Sequence, residues 1–301
     1  MTSPQIELKL LSKIRSKSNV DSIKISPDTN LSSLKDEIRR VTEARISKNR
    51  LGVFLDKNGE STPLISIRRS LTQMNVQNGD KIIVKDLGPQ IDWRLVYVLE
   101  YLGPIFIFTF FFWKLGWDNS NLTQKLAYFM GVCHFIKRVL ESIFIHIFSR
   151  STMPLKNLAI NCTYYWLIFG VSVGYSLFNI GYEEPTYIPV LRYFFFSMFI
   201  CAEIKNLKCH LILRDLRNND PESRGIPLGE GFEFVSAANY FWEIMAWMTF
   251  SLFVNHWSSY LFTCCGFYIL RLWSLKKHKD YLKTFGDKYP KNRKAFIPFL
   301  I

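Results

Sequence analysis

The sequence lacks the residue patterns that identify several large classes of enzyme. Its five histidines form no HxxxH or HxxHH cluster, which excludes the di-iron desaturases and hydroxylases, because their centres need more ligands than this chain supplies. The GxSxG elbow of serine hydrolases is missing. No GxGxxG follows a strand, so a strand-based dinucleotide-binding unit is also excluded.

Cysteine is present, but not in a pattern that carries chemistry. The six cysteines form no CxxC pair and show no regular spacing, and most of them lie inside apolar runs. Such a distribution indicates neither a disulfide framework nor a zinc site. We therefore expect no metal centre.

Long apolar runs are missing from the first third of the chain. The 301 residues are 49% hydrophobic and 16% aromatic, yet the mean hydropathy is only +0.05, because the apolar residues are concentrated after Arg94. Residues Met1 to Gln5 contain no apolar signal-peptide core, so we expect the first apolar run to act as an uncleaved signal anchor. The composition predicts a polar N-terminal domain followed by a membrane-embedded remainder.

The polar region, residues 1–86, has the pattern of a compact α+β domain. Alternating apolar residues predict strands at Ile6–Leu10, Ile23–Ile25, Leu51–Leu55 and Lys81–Val84. Asn30 is placed to cap a helix that carries Leu31, Leu34 and Ile38 on one face. This order of elements resembles a ubiquitin-like domain, which would serve either as a docking or regulatory module or as a folding appendage.

The remaining residues, 87–301, contain six apolar segments, each long enough for a helix to cross about 30 Å of hydrocarbon. They lie at 95–115, 126–148, 158–180, 188–211, 233–254 and 257–275. Six spans place both termini on one side. Lysine and arginine dominate the tail after Lys276, whereas the loop between the third and fourth segments carries Glu183 and Glu184, so the positive-inside rule predicts cytosolic termini. The same rule accounts for the net charge of +13 without a nucleic-acid partner.

Charged residues interrupt four of these apolar segments. They are Lys137, Arg138, Glu141, Glu203, Lys205, Glu243 and Arg271. A charge at membrane depth costs about 3 kcal/mol on insertion scales. An i,i+4 pair between Lys137 and Glu141 could neutralise two of them, but not charges spread over four segments. We therefore predict a buried polar cavity among the helices.

Several short motifs are distributed along the membrane part. They are His134–Arg138, Thr152–Leu155, Asn161–Trp166, Leu213–Arg217, Asn239-Tyr240 with Glu243, and a C-terminal set with His278, Tyr281, Tyr289-Pro290, Arg293 and Ile297–Phe299. Together they resemble the very-long-chain trans-2-enoyl-CoA reductases of the broader steroid 5-alpha-reductase family, over essentially the whole chain. Two positions depart from the pattern: steroid reductases usually have an Asp where this chain has His210, and relatives commonly have a Tyr where it has Phe135.

The resemblance implies an endoplasmic-reticulum membrane enzyme that uses NADPH to reduce very-long-chain trans-2-enoyl-CoA to the saturated acyl-CoA. This is the last step of the fatty-acid elongation cycle, which supplies lipid and sphingolipid synthesis, so contacts with membrane lipid and with other elongation enzymes are implied. The catalysts proposed for the family fall on Tyr240 and Lys137. The positions implied to bind NADPH are Arg138, Asn206, Arg214, Arg217, Asn239, Glu243, His278, Tyr281 and Arg293.

The reaction suits the two implied catalysts. As hydride reaches C3 of the enoyl thioester, negative charge develops on the thioester oxygen, where donors increase the rate most. The Tyr240 hydroxyl could donate a hydrogen bond there and then a proton toward C2, as a general acid. A nearby Lys137 ammonium would stabilise the enolate.

Other interpretations are open from the sequence alone. Tyr240 could be an interfacial aromatic residue, and Arg214 and Arg217 could anchor a helix end at the membrane. The chain could instead reduce a 3-oxo-4-ene steroid, transfer a methyl group from S-adenosylmethionine, or act as a non-enzymatic membrane adaptor through its N-terminal domain.

Overall fold

The structure, a computed structural model, describes residues 5–14, 20–57, 59–66, 69–148, 151–217 and 225–301. The chain forms two compact units. One contains Met1–Trp93 and Phe148–Asn157, and the other contains Arg94–Ile147 and Leu158–Ile301. Every residue implied in catalysis or cofactor binding belongs to the second unit.

The first unit is built on a mixed five-stranded sheet. Its strands are β1 (Ile6–Lys13), β2 (Ser22–Ile25), β3 (Leu51–Lys57), β4 (Glu60–Pro63) and β5 (Lys81–Asp86). They lie in the order β2-β1-β5-β3-β4, in which β1 and β5 are parallel and the other pairs are antiparallel. Strand β4 was not predicted, because its four exposed residues give no apolar alternation.

One helix, α1 (Leu31–Val41), shares the core of this sheet. It begins as predicted, since Asn30 Oδ1 accepts a hydrogen bond of 3.0 Å from the backbone N–H of Ser33. The three apolar residues predicted on one face are buried together with strand residues such as Leu8 and Ile82. Helical and strand periodicity in the sequence therefore identified the core of this unit correctly.

A short ladder outside the main sheet pairs β6 (Gln90–Asp92) with β7 (Thr152–Pro154). The backbone N–H of Leu155 continues it with a 2.9 Å hydrogen bond to the carbonyl of Pro89. Neither strand was predicted, because three residues are too few for a recognisable alternation.

The second unit is helical. Its helices are α2 (Trp93–Leu115), α3 (Leu122–Leu140), α4 (Lys156–Cys162), α5 (Gly174–Leu177), α6 (Ile188–Asp215), α7 (Ala238–Val254) and α8 (Trp257–Phe285). Two π-helical segments extend them: Glu141–Ile145 follows α3, and Thr163–Val173 joins α4 to α5. Six long helical stretches thus correspond to the six predicted segments.

One helix begins later than predicted, and the predicted membrane crossings are not established for most of the helices. Helix α7 begins at Ala238 rather than at 233, because Val235 forms a bridge with Lys294 and the residues around it form turns. Among the described helices, only α2 is apolar and long enough to cross a membrane by length and composition. The helical architecture is confirmed, whereas the six membrane crossings stay a prediction.

Aromatic rings fill the centre of the helical unit. The ring centroid of Phe169, in the longer π-helical segment, lies 4.8 Å from that of Phe108, 4.9 Å from Phe135 and 5.1 Å from Phe262. Phe135, where relatives commonly carry a hydroxyl, is fully buried in this cluster. At this position the chain therefore has apolar packing instead of a polar group.

The π-helical segment Thr163–Val173 approaches α2 closely at one glycine, Gly103. A Cβ placed on Gly103 would lie 2.0 Å from Nε1 of Trp166. The same indole nitrogen donates a 3.2 Å hydrogen bond to the carbonyl of Leu99. Only glycine leaves room for the indole to lie against the α2 backbone.

Candidate active site

Lys137 extends from α3 toward α6. Its Nζ donates a 2.7 Å hydrogen bond to Asn206 Oδ1 and lies 2.9 Å from Glu203 Oε2. The i,i+4 contact with Glu141 Oε1 is present but longer, at 3.5 Å. Pairing within one helix is therefore the weakest of the three contacts, and the main partners of Lys137 come from another helix.

Asn206 connects α6 to the first turn of α7. Its side chain is buried, and its Nδ2 donates to the carbonyl of Asn239 at 2.8 Å and to Glu243 Oε2 at 3.1 Å. Tyr240 is the next residue after Asn239. Among the described residues, Lys137 thus reaches the turn that carries Tyr240 through Asn206.

Arg138 lies on the neighbouring side of α3, where it organises a second set of polar contacts. Its guanidinium is 2.6 Å from Glu141 Oε2, and a second nitrogen donates to the Tyr101 hydroxyl at 3.0 Å. His210 Nδ1 lies 3.0 Å from the same Glu141 oxygen. His210 thus presents an imidazole to a carboxylate from another helix.

The same carboxylate belongs to a possible metal-ligand set. The ligand atoms of Glu141, His146 and His210 all lie within 4.8 Å of one another. However, Arg138 already donates to this carboxylate, and a divalent cation would have to displace the guanidinium or tolerate its charge. The contacts favour an ion-pair network, and the expected lack of a metal centre stays a prediction.

Tyr240 is half-buried in the first turn of α7. Its ring lies 6.2 Å from that of Trp273, and the Lys277 ammonium is 5.7 Å from its centroid. The charged groups that act on its hydroxyl are Arg138, Arg217 and Glu243. Arg138 and Arg217 thus attract negative charge on this phenol, whereas its burial and Glu243 oppose it.

A second polar group surrounds Ser236, just before α7. Its Oγ lies 2.6 Å from His278 Nδ1 and 2.6 Å from the Tyr289 hydroxyl. The rings of Tyr281 and Tyr289 stack at 5.4 Å, and the buried Arg293 guanidinium lies 5.4 Å from the Tyr289 centroid. Burial lowers the pKa of His278, so its imidazole is neutral at pH 7.

Arg214 and Arg217, near the end of α6, have different surroundings. Arg214 pairs at 2.8 Å with the neighbouring Asp215, and its side chain is 35% exposed. Arg217 donates a 2.7 Å hydrogen bond to the carbonyl of Ile147 and acts on Tyr240 electrostatically. The structure therefore places Arg217 beside the polar cluster and Arg214 at its periphery.

The structure brings most of the implied site residues into two adjoining groups. The first contains Lys137, Arg138, Asn206, Asn239, Tyr240 and Glu243, and the second contains His278, Tyr281 and Arg293. Lys277 joins them, because its Nζ faces the rings of Tyr240 and Tyr281 at 5.7 and 5.8 Å. Both predicted catalysts thus lie in one polar cluster among the helices.

Sequence reasoning assigned no site role to His134, Glu203, Ser236 or Lys277. The first two carry a recognisable signal, since each precedes a site residue by three positions on the same helix face: His134 precedes Lys137, and Glu203 precedes Asn206. No sequence pattern identifies Ser236, because its partners come from distant parts of the chain.

Three buried atoms in these groups suit a polar ligand. Asn239 Oδ1, Arg138 Nε and Arg293 Nε have no hydrogen-bond partner among the described residues. An unpaired buried polar atom costs about 1–3 kcal/mol. The Asn239 oxygen could accept a hydrogen bond from an amide or hydroxyl of a nucleotide. The two guanidinium groups could donate to its phosphate oxygens.

Comparisons with known proteins agree with this chemistry. Residues 151–301 match the family described as 3-oxo-5-alpha-steroid 4-dehydrogenase, and residues 9–85 match the family described as nuclear pore localisation protein NPL4. Among solved structures, the ubiquitin like domain of PLXNC1 is 12% identical, and the match covers 28% of this protein and 99% of that domain. The TM-score is only 0.25.

Two curated relatives are similar along nearly their whole length. A very-long-chain enoyl-CoA reductase of Dictyostelium discoideum is 37% identical over 304 residues, covering 98% of this chain and 100% of the relative. A Schizosaccharomyces pombe protein described as an enoyl reductase is 37% identical over 285 residues, covering 93% of this chain and 94% of the relative. The human protein named trans-2,3-enoyl-CoA reductase-like is 27% identical over 84% of this chain and 72% of its own length.

Proposed function

We propose that this chain, which belongs to the family of very-long-chain enoyl-CoA reductases, takes its hydride from NADPH and completes the fatty-acid elongation cycle. Membership of that family makes it an oxidoreductase that reduces the carbon–carbon double bond of an enoyl-CoA. The observation that carries the finer proposal is the hydrogen-bonded path from Lys137 through Asn206 to the turn of Tyr240.

NADPH, when bound, supplies the hydride that C3 of the enoyl thioester accepts. Tyr240 donates a hydrogen bond to the thioester oxygen as negative charge develops there, and then delivers its proton toward C2. Arg138 and Arg217 stabilise the phenolate that this leaves, because both act on the Tyr240 hydroxyl. Lys137 adds a positive charge to the cavity and holds Asn206 in place.

The residues that would hold NADPH come from both polar groups. Asn239 Oδ1, buried and unpaired among the described residues, would accept a hydrogen bond from the nucleotide. Arg293, Arg217 and the outlying Arg214 would bind its phosphates, because guanidinium groups pair with phosphate oxygens in two-point contacts. His278 and Tyr281 would line the same region, where Ser236 and Tyr289 hold them in place.

We propose that the helical unit lies in the endoplasmic-reticulum membrane, close to its lipids and to other elongation enzymes, and its outer surface supports a membrane position. Large apolar side chains on these helices are widely exposed, including Phe106 (69%), Trp113 (75%) and Val190 (83%). Apolar exposure on this scale is rare in monomeric soluble proteins. Six helical stretches of suitable length would place both termini on one side, and the basic residues after Lys276 would make that side the cytosol.

The N-terminal unit is proposed to be a ubiquitin-like module. Its strand order, with a parallel central pair of β1 and β5 and one helix, supports that proposal. So does the match of residues 9–85 to a family model of their own, separate from the one that covers residues 151–301. Its presence in the same chain as a reductase unit is consistent with docking or regulation.

One assay decides between this function and the steroid alternative, which the match of residues 151–301 favours. Purified protein in lipid is given NADPH and either a very-long-chain trans-2-enoyl-CoA or a 3-oxo-4-ene steroid, and nucleotide oxidation and the saturated product are measured. We expect turnover with the enoyl-CoA and none with the steroid. Turnover with the steroid alone, or with NADH in place of NADPH, would contradict the proposal.

A further inference from the structure

His134 is a fully buried residue of α3 that touches carboxylates from two other helices. Its Nδ1 lies 2.8 Å from Glu203 Oε1 on α6, and its Nε2 lies 3.3 Å from Glu243 Oε1 on α7. The ring also packs edge-on against Trp247, with centroids 4.4 Å apart. One imidazole therefore joins three helices at the back of the candidate active site.

The two contacts specify the charge of the ring. A neutral imidazole has one N–H donor and one bare nitrogen, and a bare nitrogen facing a carboxylate would be repelled by it. The imidazolium suits both contacts, because its Nδ1–H donates to Glu203 Oε1 and its charge faces Glu243 Oε1 across a 3.3 Å ion-pair contact that lacks hydrogen-bond geometry. Trp247 Nε1 donates a 3.2 Å hydrogen bond to the same oxygen of Glu243.

The charge count of the cluster agrees with a protonated ring. Its carboxylates are Glu141, Glu203 and Glu243, and its permanent cations are Lys137 and Arg138. His210, whose Nδ1 lies 3.0 Å from Glu141 Oε2, counts as neutral because the same nitrogen accepts a 3.3 Å hydrogen bond from the Arg138 guanidinium. A charged His134 makes the set three against three. Buried ion clusters are tolerable only when each charge is compensated, so a neutral ring would leave one carboxylate uncompensated.

The carboxylate oxygens that do not face His134 hold residues of the candidate site. Glu203 Oε2 lies 2.9 Å from Lys137 Nζ, and Glu243 Oε2 accepts a 3.1 Å hydrogen bond from Asn206 Nδ2. We propose that His134 is a positioning residue, held as an imidazolium, that fixes Glu203 and Glu243 so that they orient Lys137 and Asn206. This role in turnover rests on the proposed function, whereas the charge of the ring does not.

The proposal predicts two separable effects of His134→Gln, because a glutamine amide can donate to only one of the two carboxylates. We expect kcat/KM for the enoyl-CoA to fall about 100-fold, since small misplacements of catalytic groups cost rates of that order. The KM for NADPH should rise about tenfold, because Asn206 and Asn239 lose their fixed geometry. Kinetic constants are normalised to folded enzyme by active-site titration, and thermal unfolding is followed in parallel.

The matched control is His256→Gln. His256 caps α8 and contacts Ser258, at the other end of that helix from the polar tail. It should leave both constants unchanged. If His134→Gln lowers the unfolding temperature but leaves kcat and the KM for NADPH per folded molecule unchanged, His134 is merely structural and the proposal is wrong.

A second measurement needs no turnover. Nitrogen NMR of histidine-labelled wild-type protein in lipid reports whether each ring carries one or two protons. The groups that face His134 are Glu203 from α6, Glu243 from α7 and Lys137 one turn further along α3, so we expect one ring to stay doubly protonated from pH 6 to pH 8. Loss of this signal in Glu203→Gln would assign it.

The two experiments separate the two proposals. A wild-type protein that shows the doubly protonated ring but does not oxidise NADPH with an enoyl-CoA contradicts the proposed function and leaves the imidazolium supported. If every ring is singly protonated at pH 7, the positioning proposal is wrong whatever the enzyme reduces. Should His134→Gln fail to fold, the NMR result alone decides.

Discussion

Lys137 on α3 and Asn206 on α6 are joined by a 2.7 Å hydrogen bond, and Asn206 passes the connection on to the carbonyl of Asn239 at 2.8 Å. The residue that follows is Tyr240. A hydrogen-bonded path across three helices therefore runs from one implied catalyst, Lys137, to the residue before the other, although the two are 103 positions apart in the sequence. Substitutions along this path should separate chemistry from nucleotide binding.

Tyr240→Phe removes the hydroxyl that would protonate C2. We expect kcat to fall by a factor of about 10² to 10⁴, the range for loss of a general acid, while NADPH affinity changes little. Single-turnover reduction of the enoyl-CoA and equilibrium nucleotide binding measure the two quantities. Tyr268→Phe, at an exposed position of α8, is the matched control, and equal activity of the two variants would contradict the assignment.

Lys137→Met removes an ammonium that compensates Glu203 at 2.9 Å. We expect kcat to fall at least about tenfold and thermal stability to fall with it, because breaking one partner of a buried pair leaves the other uncompensated. Lys137→Arg should recover stability better than activity. Lys208→Met, whose side chain is 52% exposed, should be neutral in both assays; a Lys137→Met enzyme with full kcat would exclude a catalytic role.

Asn206→Leu keeps the approximate volume but removes both hydrogen bonds to α7. The carbonyl of Asn239 and Glu243 Oε2 each lose a donor, and each unsatisfied group costs about 1–3 kcal/mol. We expect a higher KM for NADPH and a lower unfolding temperature. A normal KM in the folded fraction would mean that this bridge supports the fold without shaping the nucleotide site.

The sequence predicted the elements of this protein better than their contacts. The spacing of Leu31, Leu34 and Ile38 identified a buried helix face, and the six apolar segments correspond to six helical stretches. Local periodicity carries that information because burial imposes it residue by residue. The charges inside the apolar segments also predicted a buried polar cluster, since charge survives at such positions only with partners.

What the sequence could not predict are pairings between distant residues. The i,i+4 rule pointed to Lys137 and Glu141, yet the shorter contact is with Glu203, which local spacing cannot identify. Ser236 is a similar case, because its partners His278 and Tyr289 lie more than 40 positions away. The π-helical segment of Thr163–Val173 was also missed, since its residues have the apolar composition of an ordinary buried helix.

Gly103→Ala should destabilise the helical unit. The new methyl group would lie 2.0 Å from the Trp166 indole, and the cost of overpacking, about 1–3 kcal/mol, exceeds the gain of about 1 kcal/mol in helix propensity. Thermal unfolding in lipid measures the change. Adding Trp166→Leu should recover part of the loss, and purely additive effects would contradict the contact.

The N-terminal unit should lose stability in acid through Asp86. Hydrogen bonds from Arg50, at 3.0 Å from its Nε, and from the backbone of Gly88 at 2.8 Å hold the pKa of Asp86 below its usual value. A lowered pKa in the folded state stabilises the fold at neutral pH, and this contribution is lost as the pH falls through that pKa.

Hydrogen exchange of β5 amides in the full chain tests this expectation. Asp86→Asn should weaken protection at pH 7 and have a smaller effect at pH 2, where the carboxylate is more extensively protonated. Asp21→Asn, an exposed position before β2, is the control. Equal loss of protection at both pH values would mean that the carboxylate charge is not the cause.

The polar contacts that join α3 to α6 also constrain how the chain can fold during its synthesis. His134 and Lys137 emerge 69 residues before their partners Glu203 and Asn206. In the proposed membrane topology α3 would carry unpaired charge until those partners arrive, so we expect it to stay at the insertion machinery or beside a chaperone. Correct folding then depends on contacts between α6 and the earlier helix α3. A chain truncated within α6 should therefore be degraded.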